Sequence, residues 1–392
     1  MSTPIFLTGF EYGSTPTQNG SGLAENVTGT PTLVTSPVHS GVYAMKLTLD
    51  GATAQYMRMP ITGTPQIGVV RFYLRLNAVA SAAWPIASFH FLTAAGSGNF
   101  EITTGRVLRA TIGAGAAQTG PTLTLDQWYC VEGRMNITGT TWTLDWRVDG
   151  VDYTQATLSG QATTDSIIYF RFGSSTASLN TGVCFFDDYI YSETSADYPF
   201  GPGKTAIIVP VADGTHVAGT NIMEDQAGAD IGVVTAWNLI DDIPMSTATT
   251  YIRQLAIGTG NYAEILFGDI QRNDIIVIAA MAVLAYTSET TSANNGGCII
   301  SADGFSTSTT VWGAPGALSD YSDGSTSNLF YKSAKLANVN NLSAVNNLKA
   351  RMGYSGDATP DPYWINLAVE VAYYEISNVV NVKQAVNRAA VI

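Results

Sequence analysis

Apolar and polar residues alternate along short stretches of the chain. Apolar residues occupy positions 70, 72, 74 and 76, and Arg71, Tyr73 and Arg75 lie between them. A period of two is the pattern of a β-strand that has one face in an apolar core. This stretch therefore predicts a half-buried strand.

A second alternating stretch spans residues 142–148 and ends at a turn signal. Trp142, Leu144 and Trp146 occupy alternate positions in it. Asp149 and Gly150 follow directly, and an Asp-Gly pair readily takes the positive φ angles that a tight hairpin turn requires. We therefore predict a β-hairpin at this point.

Further stretches with the composition of strands fill both halves of the chain. Gly-rich turns separate them and no convincing helical period lies between them, which is typical of β-sandwiches of the jelly-roll kind. The predicted strands of the first half are 44–49, 87–92, 100–103, 128–135, 167–172 and 183–191. Those of the second half are 206–210, 251–258, 263–267, 275–286, 298–301 and 364–376.

The fold prediction is all-β, with two tandem β-sandwich (jelly-roll) domains. A Pro- and Gly-rich segment separates the two strand-rich halves, and 392 residues are enough for each half to bury its own core. The predicted boundaries are 1–195 for the first domain, 196–220 for a linker, 221–377 for the second domain and 378–392 for a short C-terminal extension.

The C-terminal extension has too little apolar surface for a core of its own. We expect it to pack against its own domain or a neighbouring subunit, with Val379, Val382 and Val386 as contact residues. Free sheet edges invite pairing with another chain, and the Lys and Glu residues that usually prevent such pairing are scarce here. A homo-oligomer is therefore expected.

Charge and hydropathy exclude several classes of partner. Charged residues make up 12% of the chain, which is about half the usual share. The net charge of −13 argues against a nucleic-acid partner, because phosphate contacts need clustered Lys and Arg. The longest apolar run, 275–285, is well short of the roughly 20 residues of a membrane helix. Residues 1–5 lack the features of a secretory signal. We expect neither membrane insertion nor classical export.

The three cysteines are expected to be buried free thiols. Cys130, Cys184 and Cys298 are odd in number and have no CxxC spacing. This disfavours both a disulfide framework and a zinc site.

Four segments of the first half stand in a recognisable order. They are Phe10 and Glu11 near the start, residues 40–47, the hairpin 148–151, and the closing stretch 186–190. In this order they resemble the concanavalin A-like jelly-roll superfamily, which includes laminin-G-like domains and several carbohydrate-binding modules. The resemblance covers residues 5–192 and implies that the first domain has this fold.

The junction between the halves carries a second resemblance. Residues 197–204, continuing to 212–216, resemble a linker that recurs in virion proteins of tailed bacteriophages, where it joins such a jelly roll to a second β domain. The resemblance implies a non-enzymatic virion protein, made in the host cytoplasm and displayed on the exterior of the phage particle beside other virion proteins. Minor tail or tail-tip placement and capsid decoration are both compatible with the sequence.

A structural calcium ion is one implication of the first resemblance. Several carbohydrate-binding modules of this shape hold calcium between the first and last strands, and the matching positions here are Glu11 and one or both of Asp187 and Asp188. Calcium takes six to eight oxygen ligands, so backbone carbonyls would have to complete the shell. The alternative is that the Asp pair is solvated or pairs with Lys46 or Arg58.

A lectin-like module that contacts host surface glycans is the alternative function. Aromatic rings stack on the apolar faces of sugars, and an exposed Trp84, Tyr129 or Trp312 would supply such a platform. The favoured interpretation is that these rings serve the sandwich cores and subunit contacts, where aromatic residues are also common.

An enzyme is not expected. Glycoside hydrolases on a concanavalin-like scaffold place paired carboxylates on one strand, commonly as Glu-x-Asp-x-x-Glu, and that string does not occur here. Asp145 lies four positions before Asp149, but the hairpin turn accounts for Asp149. His39, His90 and His216 are well separated in sequence, and no Gly-x-Ser-x-Gly elbow accompanies them.

Overall fold

The computed structural model describes residues 6–12, 26–50, 53–61, 63–78, 82–92, 96–174, 181–215, 223–225, 236–241, 252–254, 262–288, 298–312, 330–352 and 362–376. The sheets that these residues form are antiparallel, and the chain is an all-β protein of two sandwiches, as the sequence predicts. Among the same residues, no helix has both the length and the apolar character needed to cross a membrane.

The first sandwich contains the strands of the first half of the chain. In chain order these are β1 (Phe6–Thr8), β2 (Asn26–Thr28), β3 (Thr32–Val34), β4 (Ala44–Asp50), β5 (Gln55–Pro60), β6 (Ile67–Ala78), β7 (Trp84–Phe91), β8 (Ser97–Ile102), β9 (Val107–Ile112), β10 (Gln118–Thr122), β11 (Trp128–Asn136), β12 (Thr141–Val148), β13 (Val151–Asp152), β14 (Ala156–Ser159), β15 (Ile167–Ser174) and β16 (Thr181–Ser192).

Two sheets form this sandwich. The first has the strand order β13-β12-β11-β6-β16-β4-β3, with β1 also paired to β16 and β14 to β12. The second has the order β10-β9-β8-β7-β15-β5-β2. Because β1 pairs with β16, the beginning and the end of the first half lie side by side, as the sequence predicts.

The apolar positions of the alternating stretches fill the core between these sheets. Phe72, Trp142 and Phe172 are fully buried. The ring of Phe72 meets the rings of Phe100 and Phe172 edge-on, with centroids 5.7 and 5.5 Å away, a geometry that aromatic pairs favour. The predicted strand around residue 72 is confirmed as part of β6.

The predicted hairpin after residue 148 is also confirmed. Val148 pairs with Val151 across the turn. Asp149 and Gly150 have φ angles of 48° and 81°, which are the positive values that a tight hairpin turn needs.

The second sandwich follows in the second half of the chain. Its strands are β17 (Lys204–Ile208), β18 (Pro210–Asp213), β19 (Met223–Asp225), β20 (Ile252–Gln254), β21 (Ala263–Phe267), β22 (Ile275–Ser288), β23 (Cys298–Ser301), β24 (Thr309–Trp312), β25 (Phe330–Lys335), β26 (Lys349–Met352) and β27 (Pro362–Glu375). One helical turn, α1 (Leu342–Val345), and 3-10 turns at Ser195–Asp197 and Trp237–Leu239 accompany the described strands.

Two sheets also form the second sandwich. One has the order β19-β20-β27-β22-β25, with β17 also paired to β27, and the other has the order β18-β21-β26-β23-β24. Ile265, Leu284, Ile300 and Val369 are among the buried residues between them.

The predicted linker at 196–220 needs correction. Strands β17 and β18 both lie inside this range, and they pair with β27 and β21 in the two sheets of the second sandwich. The physical reason is apolar alternation, since Ala206 and Ile208 pack in the core of that sandwich. The second sandwich therefore begins at Lys204 rather than at residue 221.

Strand β27 carries a different set of residues on each face. Leu367, Val369 and Val371 belong to the core of the second sandwich. Ala368 and Ala372, on the opposite face, join the apolar cluster of the first sandwich. Strand β1 contacts both β22 and β27. The two sandwiches therefore share a buried interface, which we call the joint; it comprises Thr8 to Glu11, the loop 39–42, Asp187 and Asp188, Thr205, and the face of β27 that carries Glu370.

The cysteines are buried free thiols, as expected. Cys130, Cys184 and Cys298 each lie inside a strand without forming a disulfide. Burial raises the pKa of Cys298 to about 12, so this thiol is protonated and unreactive at neutral pH.

Candidate functional site

The joint brings together the carboxylates that the sequence singled out. Glu11 follows β1, while Asp187 and Asp188 lie on β16, where the pairing with β6 shifts by a bulge. Asp188 has a φ of 49° at this bulge, which turns its side chain out of the regular alternation. All three carboxylates are fully buried.

Asp188 is the charged member of the group. Its Oδ2 lies 2.5 Å from Nδ1 of His39, and its Oδ1 accepts hydrogen bonds from Ser40 Oγ at 2.6 Å and from the Thr205 N–H at 2.7 Å. Burial alone would raise the pKa of Asp188, but these partners outweigh burial and the pKa is lowered. The carboxylate therefore keeps its negative charge inside the joint.

Asp187 carries the proton of the pair. Its Oδ2 accepts hydrogen bonds from the N–H groups of His39 at 2.7 Å and Ser40 at 3.3 Å, and its Oδ1 accepts from the N–H of Asp188 at 2.8 Å. Burial and the neighbouring charge of Asp188 raise the pKa of Asp187 well above its usual range. Two adjacent buried carboxylates thus divide into one acid and one anion.

Glu11 is held by the loop that follows His39. Its Oε2 accepts a hydrogen bond from the Val42 N–H at 2.7 Å. Burial, and then the charge of Asp188, raises the pKa of Glu11 to about 8. Gly41 has a φ of 64° and lies so close that a Cβ there would overlap the carboxylate. The loop therefore needs glycine at this position both for its backbone angle and for space.

Sequence reasoning missed Glu370, which the second sandwich contributes. It lies on β27 between Ala368 and Ala372 and is fully buried. Its Oε1 accepts hydrogen bonds from the N–H groups of Gly9 at 3.1 Å and Glu11 at 3.0 Å. Burial and the proximity of Glu11 raise its pKa well above the usual range. The available signal was a carboxylate in the middle of a mostly apolar strand.

Arg71 lies beside the joint and contacts the chain segment that connects the two sandwiches. It is fully buried, and its guanidinium donates to the carbonyl oxygens of Gly201 at 3.3 Å and Asp188 at 3.5 Å. A Cβ on Gly203 would overlap the guanidinium. The Tyr374 hydroxyl of β27 donates to the carbonyl oxygen of Phe200. The chain between the sandwiches is therefore bound on both sides.

The joint is a poor fit for calcium. Asp187 and Asp188 use all their carboxylate oxygens as hydrogen-bond acceptors, whereas Glu11 Oε1 and Glu370 Oε2 are buried without a partner. With two free carboxylate oxygens, backbone carbonyls would have to supply most of the six to eight ligands that calcium takes. In the described part of the chain, no group of three His, Cys, Asp or Glu residues is placed to hold a metal ion. The geometry of the joint therefore does not support the calcium site that the resemblance implies.

The basic side chain that contacts Asp188 in the joint is His39, rather than Lys46 or Arg58. The imidazole stacks on the ring of Tyr73, with centroids 3.5 Å apart, and its side chain is 18% exposed. Although a Ser, a His and an Asp lie together here, Ser40 Oγ donates to Asp188 rather than to the imidazole. A catalytic triad needs the serine hydroxyl to donate to histidine, so this set is not arranged as one.

The other proposed acidic residues have structural partners. Asp145 Oδ2 accepts hydrogen bonds from Arg134, at 2.7 Å from Nη2. Asp149 Oδ1 accepts from the Cys130 N–H at 2.8 Å and thereby fixes the hairpin. His216 lies outside the described residues.

Trp84 and Tyr129 are buried, so neither supplies the exposed platform that the lectin-like alternative would need. Trp84 is 3% exposed and Tyr129 is 8% exposed. Trp84 shares a core face with Ile86, two positions along β7. The Tyr129 hydroxyl accepts a hydrogen bond from the Thr124 N–H at 2.8 Å, which allows the ring to be buried. Trp312 ends β24, and its side chain lies outside the described part of the structure.

The predicted oligomer contacts also lie outside the described residues. Val379, Val382 and Val386 belong to the extension 378–392, which begins after the last described residue, Ile376. The homo-oligomer and the role of the extension stay predictions.

The fold and the joint define an all-β protein whose two sandwiches are connected by buried polar groups. No protein-family model and no curated protein matches the chain. Among solved structures, a cellulose-induced protein, Cip1, is 18% identical over 46% of this chain and 90% of its own, with a TM-score of 0.35. Trypanosoma rangeli sialidase is 14% identical over 45% of this chain, with a TM-score of 0.33. This chain spans 29% of that sialidase's length. These likenesses carry no argument about function.

Proposed function

We propose that the chain is a non-enzymatic structural protein of a tailed-phage virion, displayed on the exterior of the particle as a minor tail, tail-tip or capsid decoration protein. The observation that carries the proposal is the joint, where Glu370 and Asp188 accept hydrogen bonds that cross between the sandwiches. A protein displayed on a particle depends on its own contacts to hold its domains in a fixed relation. The joint supplies such a connection.

The chemistry of the joint supports a structural role. The charge of Asp188 is satisfied by His39, Ser40 and Thr205. Catalytic acids and bases have to reach a substrate, whereas these groups are turned toward backbone N–H groups and toward one another. The resemblance of residues 197–204 and 212–216 to the phage linker is the reason for proposing that this structural role is in a virion.

The partners that follow from this proposal are other virion proteins and further copies of the same chain. The low share of charged residues, 12%, makes protein contacts depend little on salt, because screening acts mainly on exposed charges. Contacts of this kind suit a particle that persists outside a cell.

The proposal is tested on intact particles of the phage that encodes the chain. Particles are purified on a density gradient and analysed by mass spectrometry and cryo-electron microscopy. We expect the chain at a fixed copy number, with density for two connected sandwiches on the outer surface. Particles that hold their other structural proteins and lack this chain would contradict the proposal.

A lectin-like module that contacts host surface glycans is the second candidate. The observation that favours it is the outer face of the sheet that contains β7 and β15. There the ring of Tyr169 stacks on His90 with centroids 4.5 Å apart, and both side chains remain partly exposed. Binding of the purified chain to host cells that disappears after the cells' surface glycans are removed would support this candidate.

A further inference from the structure

Two arginines lie side by side on the outer face of the first sandwich. Arg58 on β5 is directly opposite Arg171 on β15, and Arg171 is directly opposite Ser88 on β7. Phe170 and Phe172, on either side of Arg171, are fully buried in the core. Because side chains alternate along a strand, both guanidinium groups are on the face that points away from the core.

This pair of charges has no counter-charge in the described part of the chain. Neither arginine forms an ion pair with a described residue, and the Nε atom of each is buried without a hydrogen-bond acceptor. Arg171 is only 5% exposed. Like charges directly opposite each other destabilise an antiparallel pair, and withdrawing an unpaired charge from water adds to that cost.

A neutralised arginine on the same face provides the contrast. Glu101 on β8 accepts a hydrogen bond from Arg109 Nε at 2.9 Å and another from Thr111 Oγ1 at 3.2 Å. Its carboxylate is therefore already occupied. Arg58 and Arg171 have no such partner, although they lie on the same sheet.

Aromatic rings hold the two guanidinium groups in place. The Cζ atom of Arg58 lies 4.4 Å from the ring centroid of Tyr169 and 5.3 Å from that of Tyr56, and Cζ of Arg171 lies 5.7 Å from the Tyr56 ring. Such contacts attract a cation but leave its charge in place. The arrangement therefore fixes the positions of the arginines without neutralising them.

The lowered pKa of His90 reflects its burial and the positive charge of the two arginines. Burial, and then the charges of Arg171 and Arg58, lowers the pKa of His90 to about 3. The imidazole is therefore neutral at pH 7, and its Nε2 lies 2.9 Å from Ser88 Oγ. The positive charge of the cluster at that pH belongs to the two arginines.

We propose that Arg58 and Arg171 form a binding site for an oxyanion, a carboxylate, sulfate or phosphate group carried on a larger ligand. Guanidinium groups present paired N–H donors that match the oxygens of such a group. The polar row continues from Ser88 to Asn99 on β8 and Thr111 on β9, so the face of the sheet beside the two arginines is polar. The proposed oxyanion site does not depend on whether the chain is a virion structural protein or a lectin-like module.

The test measures binding of defined probes to the full chain at pH 7 and constant ionic strength. The probes are sodium sulfate, sodium phosphate and glucuronate, with glucose as the uncharged counterpart of glucuronate. Binding is followed by calorimetry and by the NMR signals of the arginine Nε–H groups. We expect saturable binding of at least one oxyanion and none of glucose.

Variants connect the binding to the two arginines. Arg58→Gln and Arg171→Gln are each expected to weaken oxyanion binding roughly tenfold or more, because each removes a charge-assisted hydrogen bond. Arg75→Gln, which removes a charge paired with Asp126 on the other sheet, is the control and should bind like the wild type. In anion-poor buffer, Arg171→Gln should unfold at a temperature no lower than the wild type, because the substitution removes a buried unpaired charge.

The binding results distinguish between the possible anions and can also overturn the proposal. Binding of sulfate or phosphate without glucuronate supports the site and assigns it to tetrahedral anions, and binding of glucuronate assigns it to carboxylates. Equal binding of glucose and glucuronate, no binding of any anion, or variants that bind like the wild type would overturn the proposal. If Arg171→Gln does not fold, the more exposed Arg58→Gln decides the result.

Discussion

The N–H of Glu11 in the first sandwich donates a hydrogen bond to Glu370 Oε1 in the second, over 3.0 Å. The same oxygen accepts from the Gly9 N–H at 3.1 Å. One carboxylate of the second sandwich thus satisfies the backbone that follows β1 of the first. A buried donor without an acceptor costs about 1–3 kcal/mol, so the end of β1 depends on the second sandwich for its stability.

Replacing Glu370 tests this dependence. Burial raises the pKa of Glu370 well above its usual range and so favours the neutral acid, of which glutamine is a close mimic. We expect Glu370→Ala to lower the free energy of unfolding by about 3 kcal/mol and Glu370→Gln by less than about 1 kcal/mol. Urea titration of both variants measures the difference, and equal losses in the two would show that the acceptor oxygen is unimportant.

Glu11 links stability to pH. Burial, and then the charge of Asp188, raises its pKa from 4.5 to about 8. Below pH 4.5 the carboxyl is protonated in both the folded and the unfolded chain. Between pH 4.5 and 8 the unfolded chain releases the proton while the folded chain keeps it, so the free energy of unfolding falls as the pH rises.

Glu11→Gln removes this titration. We expect the free energy of unfolding of the variant to fall less steeply than that of the wild type across the same window. Asp187 and Glu370 also have raised pKa values. The free energy of unfolding of the variant is therefore still expected to fall as the pH rises. Urea titrations at a series of pH values give both slopes, and identical slopes would mean that Glu11 does not hold its proton in the folded chain.

Gly41 is expected to tolerate no side chain. A Cβ at this position would overlap the Glu11 carboxylate, whereas nothing lies near the corresponding position of Gly160. Both glycines have a positive φ, so alanine costs roughly 1–3 kcal/mol of backbone strain at either site. We expect Gly41→Ala to lose clearly more stability than Gly160→Ala in thermal unfolding. A loss no greater than that of the control would show that Glu11 has room to move.

Calcium is expected to leave the melting temperature unchanged. If Glu11, Asp187 and Asp188 bound it, a hundredfold excess over the dissociation constant would stabilise the folded chain by about 2.7 kcal/mol. The oxygens of both aspartates are instead occupied by N–H and O–H donors. Scanning calorimetry with calcium and with a chelator decides the matter, and an upward shift with calcium that Glu11→Gln abolishes would establish the site.

The sequence predicts well what depends on local pattern. The alternation around Phe72 and the Asp149–Gly150 turn needs only neighbouring residues, and both predictions are confirmed. The meeting of Glu11 with Asp187 and Asp188, which the resemblance to carbohydrate-binding modules implies, follows from the pairing of β1 with β16.

The rest depends on contacts between distant parts of the chain. Glu370 lies 359 positions after Glu11, and nothing in the local pattern of β27 says which surface it faces. The choice of His39 as the partner of Asp188 depends in the same way on the folding of the loop 39–42. The sequence left open whether Trp84 is exposed or buried, and its shared core face with Ile86 buries it. The presence of an aromatic residue in the sequence does not by itself show whether its ring faces solvent.

The account's central claim is that the joint makes the two sandwiches a single structural unit. Scanning calorimetry of the full chain tests it most directly, by comparing the calorimetric enthalpy with the van't Hoff enthalpy. We predict one transition with equal enthalpies for the wild type, and two separated transitions for Glu370→Ala. Two independent transitions already present in the wild type would contradict the claim.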